Sequence, residues 1–243
     1  MNVSTLNNHG VKISRIADMS GEEINKQIFT LTDSQSSASA YIEKLVLAMV
    51  DLEEEEFDKT LNALVKKFGF ERAVTEAIYP FLEKIGILWQ TKNISPAQEH
   101  FISNLIRQKV IVAIDALPLK PTSRKRLVLF LPEHEQHEIG LLFNYYLAKH
   151  AGYKCYYLGQ NVPHKDLIDI VDTHKPHVLV TSIISPMMRG VPAYLELLSR
   201  QFPKQHIFVS GIQVADISAK ASTNIHAFSN ALNFKELLTA HNR

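Results

Sequence analysis

The stretch Leu127-Val128-Leu129-Phe130-Leu131, followed closely by Glu135-Gln136-His137-Glu138-Ile139-Gly140, decides how this chain is read. Five consecutive apolar residues suit a strand buried on both faces of a parallel sheet. An amphipathic segment from Leu141 to His150 comes next and suits a helix. His137 therefore falls in the loop at the carboxyl end of a first strand, three residues before a glycine. That edge is where open parallel sheets bind ligands. The carboxylate of Glu135 can accept a hydrogen bond from one imidazole nitrogen of His137 and leave the other free for a metal. Gly140 lets a bulky group approach the backbone. On these residues alone, an ordinary polar loop with a solvated histidine is the competing reading.

Downstream, strand and helix patterns alternate. Candidate strands are Arg126–Leu131, Lys154–Leu158, His177–Ile184, His206–Val209 and Ile225–Phe228. Helical patterns fall at Ile139–Ala151, Lys165–His174, Tyr194–Gln201 and Phe234–His241, while Gln213 to Asn224 is weakly patterned. This alternation predicts a doubly wound parallel sheet.

Upstream of a Pro-containing joint, Pro118 to Ser123, only helical periodicity is present. Tyr41, Leu45, Val46, Met49 and Val50 form one stripe; Phe57, Leu61, Leu64, Val65 and Phe68 form a second. Val74, Ile78, Phe81, Leu82, Ile85 and Trp89 make a third, and Phe101, Ile102, Leu105, Ile106 and Val110 a fourth after Ser95-Pro96. Four such stretches with short connections predict an antiparallel four-helix bundle, its third helix kinked or split at Pro80. Two short helices are expected at Ile13–Met19 and Gly21–Phe29, and the polar, small residues from Asp33 to Ala40 read as a linker. The fold class is thus α/β plus α: an N-terminal four-helix bundle capping a flavodoxin-like, Rossmann-type parallel sheet. The expected divisions are residues 1–32, a linker at 33–40, the bundle at 41–117 and the sheet domain at 124–243.

Composition narrows the function classes. Of 243 residues, 46% are hydrophobic and 21% charged, ordinary for a globular protein with a real core. A net charge of +1 supplies no general pull toward nucleic acid or acidic lipid, and Arg124-Lys125-Arg126 reads as a solvated strand entrance. The run Glu53 to Glu56 suits a helix start, where negative charge favours the macrodipole. The single cysteine, Cys155, excludes an intrachain disulfide and a Cys-based zinc site. No apolar run approaches the roughly 20 residues that span a bilayer, so no membrane partner is expected and the cytoplasm is the expected compartment. Neither a His-Glu-x-x-His helix nor a phosphate-cradling glycine loop is present, and nine scattered glycines supply none, so no catalysis is expected.

The carboxyl ends of the other strands carry Thr181-Ser182-Ile183-Ile184, followed by Ser185-Pro186, and Ser210-Gly211. Together with Glu135-x-His137-x-x-Gly140 this set resembles the three signatures of cobalamin-binding domains: acid-x-His-x-x-Gly, a Ser-x-Leu run and a Gly-Gly pair. The resemblance implies cobalamin as cofactor, with His137 the lower cobalt ligand in place of the cofactor's own base and Glu135 orienting it. It further implies that Ser182, with Ile184 in the Ser-x-Leu run, contacts the displaced benzimidazole, and that Ser210 and Gly211 let the nucleotide tail pass the backbone. Two departures stand out: Glu135 replaces the usual aspartate, and Ser210 the first glycine. Taken alone, Ser182 also fits a strand-end cap.

A second element lies in the helical zone. Trp89, the only tryptophan, precedes Glu99-His100 by nine intervening residues. This Trp-x9-Glu-His spacing resembles the upper-face motif of cobalamin-dependent photoreceptor regulators of the CarH/LitR kind, and His9-Gly10-Val11-Lys12-Ile13-Ser14-Arg15-Ile16-Ala17 resembles the tail of a MerR-type DNA-binding domain. The resemblance places Trp89, Glu99 and His100 around an adenosyl group, where the indole shields the cobalt–carbon bond and the acid–histidine pair bonds the ribose. A tryptophan at a helix end can also simply pack a core. In that family a histidine follows the tryptophan and takes the upper cobalt position after photolysis; here Gln90 stands there, so a bis-histidine light state needs another donor or does not form. The expected function is a light-responsive, cobalamin-binding sensory module of a transcriptional regulator. The rivals are a stand-alone antirepressor working through a DNA-binding partner and a corrinoid methyl carrier for a methyltransferase. A homo-oligomer or a DNA-binding regulator partner is expected, and no direct DNA binding by this chain, because the recognition helix of the resemblance has no counterpart in it.

Overall fold

The computed structural model describes residues 38–188, 190–214 and 223–241. The helices expected at Ile13–Met19 and Gly21–Phe29, and the His9–Ala17 stretch, lie outside the described residues. Two compact units divide at residues 105 and 106.

The first unit is helical. Helix α1 covers residues 38–50, so the expected linker ends by residue 37: Ala38 is buried and already helical. Helix α2 (Glu54–Phe68) opens on Glu54, Glu55 and Glu56 and closes on Lys66 and Lys67, charges that suit the two ends of its dipole. Helix α3 is composite: Phe70–Ala73, a π-helical stretch Val74–Ile78, then Tyr79–Gln90. Pro80 lacks an N–H, and its ring crowds the carbonyl four residues back. The wider π turn immediately before it accommodates both problems, and the helix continues unbroken. Helix α4 (Pro96–Asp115) crosses from the first unit into the second.

The periodic apolar positions are the buried ones: Leu45 and Met49 on α1, Phe57, Leu61 and Leu64 on α2, Val74, Ile78, Phe81 and Ile85 on α3, and Ile102 on α4. Each such side chain contributes about 1.5–3 kcal/mol when withdrawn from water. Polar ties add register: Lys84 pairs with Glu43 at 2.5 Å, and Gln98 donates to the Val50 carbonyl at 2.9 Å. Two residues depart from their stripes: Val50, at the end of α1, is 44% exposed, and Trp89 is the other. Trp89 stands in phase with Ile85, yet it is 54% exposed at the end of α3.

The second unit is the expected parallel sheet. Strands β1 (Arg126–Pro132), β2 (Lys154–Val162), β3 (Val178–Ser182), β4 (His206–Ser210) and β5 (Ile225–Ala227) lie in the order β2-β1-β3-β4-β5, all parallel. This is the flavodoxin-like order, whose switch point lies between β1 and β3. Between the strands run α5 (Ile139–His150), α6 (His164–His174) and α7 (Val191–Gln201), with α8 (Ala231–Ala240) last. Val128, Phe130, Leu179, Ile207 and Val209 pack on one face with Leu167, Val171, Leu195 and Leu198 of α6 and α7. Alternation sends Phe208 to the other face, against Phe234 of α8. Tyr153 ties that face to α8 through its hydroxyl, which donates to the Leu238 carbonyl at 2.5 Å.

Several boundaries differ from the sequence reading by a few residues, and those near the sheet's carboxyl edge matter most. Strand β2 runs on to Val162 across a register break opposite Leu129 and Phe130, where Gly159 takes a φ of 79°. Strand β3 ends at Ser182, which frees Ile183 and Ile184 for the loop. After β4 the chain makes a short 3-10 turn, Ile212–Val214, and residues 215–222 lie outside the description.

Candidate functional site

The site lies at the carboxyl ends of β1, β3 and β4. Glu135 is its centre, buried to 3% exposure in the loop after β1. One carboxylate oxygen accepts the backbone N–H groups of Gln136 at 2.9 Å and His137 at 3.0 Å, together with the Ser185 hydroxyl at 3.1 Å. It also lies 2.6 Å from Nδ1 of His137. The other oxygen accepts the N–H groups of Ile184 at 2.8 Å and Ser185 at 2.7 Å. Burial by itself would raise the pKa of this carboxyl. The backbone donors and the imidazole outweigh it and hold the group down to about 2. Glu135 is therefore an anion that stitches the loop after β1 to the loop after β3.

The histidine is thereby fixed. With Nδ1–H donating to Glu135, neutral His137 carries its lone pair on Nε2, the nitrogen suited to a metal. The ring is exposed, and Nε2 makes no hydrogen bond to any described residue. Its neighbour His134 is held differently: it adopts a φ of 69° and gives its N–H to Asn161 at 2.9 Å. Gln160, beside that asparagine on β2, donates to the Gln136 carbonyl at 2.5 Å, so the extended end of β2 braces the histidine loop.

Helix α5 begins where the loop ends. Glu138, at its amino cap, is buried and accepts from the guanidinium of Arg107 on α4 and, at 2.8 Å, from the Tyr157 hydroxyl on β2. Tyr157 stacks on Tyr145 of α5 at 5.2 Å, and burial pushes its phenol well above the ordinary range. Gly140 follows in the first turn; a Cβ added there would meet no heavy atom within 4 Å.

Across the switch point, Ser182 and Ser210 pair in register at the ends of β3 and β4. Gly211 takes a φ of 112°, and a Cβ there would come within 2.1 Å of the Ile183 carbonyl oxygen. Only glycine permits that approach of backbone to backbone. The structure thus gathers Glu135, His137, Gly140, Ser182, Ile184, Ser210 and Gly211 at one edge of the sheet. Ile184 takes part through its backbone N–H.

The remaining predicted residues belong to the helical unit. Trp89 ends α3, and Glu99 and His100 sit in the first turn of α4, after a turn over residues 91–95. Glu99 accepts the Ser103 hydroxyl at 2.6 Å and lies 3.6 Å from Nε2 of exposed His100. Sequence reasoning missed Ser185, Glu138, Arg107 and Tyr157. A serine just past a strand end was the only local sign of the first. The acid directly after His137 was visible, but its partners come from α4 and β2, and only the fold joins them.

Residues 41–113 match a family model described as a B12 binding domain, and residues 125–228 match a second model of the same description. The chain thus carries two successive matches to B12 binding domains. Among curated proteins, this chain is similar to the HTH-type transcriptional repressor CarH of Myxococcus xanthus, 28% identical over 153 residues, which are 63% of this chain and 50% of the repressor. The HTH-type transcriptional repressor CarA of the same organism is 24% identical over 177 residues, 71% of this chain and 59% of CarA. The matched region thus spans about half to three-fifths of these curated relatives. In fold, the chain resembles the monomethylamine corrinoid protein of Methanosarcina barkeri: TM-score 0.69 at 16% identity, covering 83% of this chain and 99% of that one. No helix of the described residues is long and apolar enough to cross a membrane.

Proposed function

We propose that this chain is the cobalamin-binding, light-responsive sensory module of a transcriptional regulator, with His137 as the lower ligand of cobalt. The observation that carries the reading is the His137 imidazole at the carboxyl edge of the sheet, locked through Nδ1 by buried Glu135 and free at Nε2. The donor set fits a corrinoid. One imidazole is presented with its tautomer fixed, Gly140 has an open Cβ side, and Ser210-Gly211 keeps the end of β4 without a large side chain.

Bound cobalamin supplies a cobalt–carbon bond that light can cleave. The chain's own residues position it and tune its surroundings. Glu135 holds the histidine in one tautomer and one rotation, and strengthens the basicity of Nε2. Because the same carboxylate grips the N–H groups of Ile184 and Ser185, any displacement of the histidine loop is felt in the loop after β3. Glu138 anchors the other end of the histidine loop to Arg107 of α4.

Trp89, Glu99 and His100 are assigned to the upper substituent, with adenosyl as the preferred form. The support is the exposure of Trp89 despite its place in an apolar stripe, and the acid–histidine pair Glu99–His100 near the start of α4. The regulator reading, with a homo-oligomer or a DNA-binding partner as its output, also rests on the likeness to the two HTH-type repressors. A methyl-carrier role is the second reading, and the corrinoid-protein fold accommodates it. An exposed indole assigned to a shielded adenosyl group favours the sensor.

The test is an absorption spectrum of the protein mixed with adenosylcobalamin in darkness and again after illumination. The sensor reading predicts a stable dark complex whose spectrum changes irreversibly on illumination, with a change in molecular mass by light scattering. A chain that binds methylcobalamin and adenosylcobalamin equally well, and whose mass is indifferent to light, is a carrier.

A further inference from the structure

Three histidines converge on the side of the sheet domain away from the site described above. His206 opens β4, His226 lies in β5 beside Phe208, and His241 follows the last turn of α8. Parallel strands put the start of β4 at the amino edge, opposite His137 at the carboxyl edge. Helix α8 returns antiparallel to the strands and so delivers His241 to the same place.

The three rings meet in a compact triangle, with centroid separations of 5.3 Å, 4.2 Å and 4.9 Å. One candidate ligand atom from each lies within 4.8 Å of the others. Nδ1 of His206 and Nε2 of His226 are 3.2 Å apart, about the spacing of two nitrogens on one tetrahedral zinc with bonds near 2.0–2.1 Å. His241 is oriented as metal-binding histidines usually are: Nδ1–H donates to the Leu237 carbonyl at 2.8 Å, leaving Nε2 with the lone pair. Phe208 closes one side, its ring 5.6 Å from that of His226 and 5.2 Å from that of His241.

From this geometry we infer that His206, His226 and His241 form a second metal site, separate from cobalt, that takes one divalent ion of the zinc class through three neutral imidazoles. Water completes a tetrahedral shell. The ion clamps α8 to the β4–β5 edge, joining elements otherwise held there by ring packing. Burial, then His241 and Lys125, lower the pKa of His206, and burial with the two neighbouring imidazoles lowers that of His226.

The test uses the full chain without a histidine tag, free of cobalamin, titrated with Zn2+ by equilibrium dialysis against a competing chelator. One Zn2+ per chain is expected, with micromolar or tighter affinity. His226→Gln and His241→Gln should each weaken it by about tenfold or more, while His137→Ala leaves it intact. Excess Zn2+ should raise the thermal midpoint of wild type but not of either variant. His241 follows the last helix, so His241→Gln leaves the sheet whole and decides the matter even if His226→Gln fails to fold. Absence of stoichiometric binding, or binding that survives His241→Gln, overturns the site.

Discussion

At the scale of single residues, Glu135 is the group on which the site turns. Its pKa is depressed from 4.5 in a free side chain to about 2 in the fold, so its contribution is full above about pH 4.5. It is lost as pH falls toward 2, because the protonated form no longer satisfies so many donors. The depression corresponds to about 3 kcal/mol at neutral pH. Unfolding by urea should therefore show stability falling between pH 4.5 and 2, and this acid-dependent fall should be reduced in Glu135→Gln. An acid branch identical in the variant would remove Glu135 from this role. The same variant should weaken cobalamin binding, by about tenfold, since loss of a group that orients a metal-binding histidine costs 10–100-fold. The acid-x-His spacing made this pair legible in the sequence. The grip on Ile184 and Ser185 was not, because those backbone donors come from a loop about 50 residues away and leave no local pattern.

At the scale of elements, the turn after β4 is as constrained as the histidine loop. Gly211→Ala would place a methyl within 2.1 Å of the Ile183 carbonyl oxygen at a φ of 112°. Strain and overpacking together should cost roughly 2–4 kcal/mol. Ser210→Gly, at the neighbouring position, should change stability by less than about 1 kcal/mol. Chemical denaturation of the two variants checks this; equal losses would show that the backbone approach is unimportant. The strands and their buried faces were readable because β1 and β3 carry short apolar runs, Leu127 to Leu131 and Val178 to Val180, bounded by polar residues. The extension of β2 was harder to see. Gly159, Gln160 and Asn161 look like a turn, and only pairing with β1 across a register break keeps them in the sheet. Pro80 announced an irregularity in α3 without saying which, since a kink, a split and a π turn all relieve the same clash.

At the scale of the whole chain, periodicity separated a helical unit from a sheet unit, and both match B12-binding domains. What periodicity could not say is that Trp89 would leave its stripe for solvent. An exposed indole adds little to the core, so Trp89→Ala should leave hydroxocobalamin affinity unchanged while removing the preference for the adenosyl form. Parallel titrations in darkness decide this, and equal weakening of both forms would contradict the assignment. The central claim, however, is that one imidazole holds cobalt from below, and His137→Ala tests it most directly. Titrated with cobalamin, the variant should bind at least about tenfold more weakly than wild type, and its bound cofactor should show the spectrum of a cobalamin that has kept its own base. An affinity and spectrum indistinguishable from wild type would contradict the account.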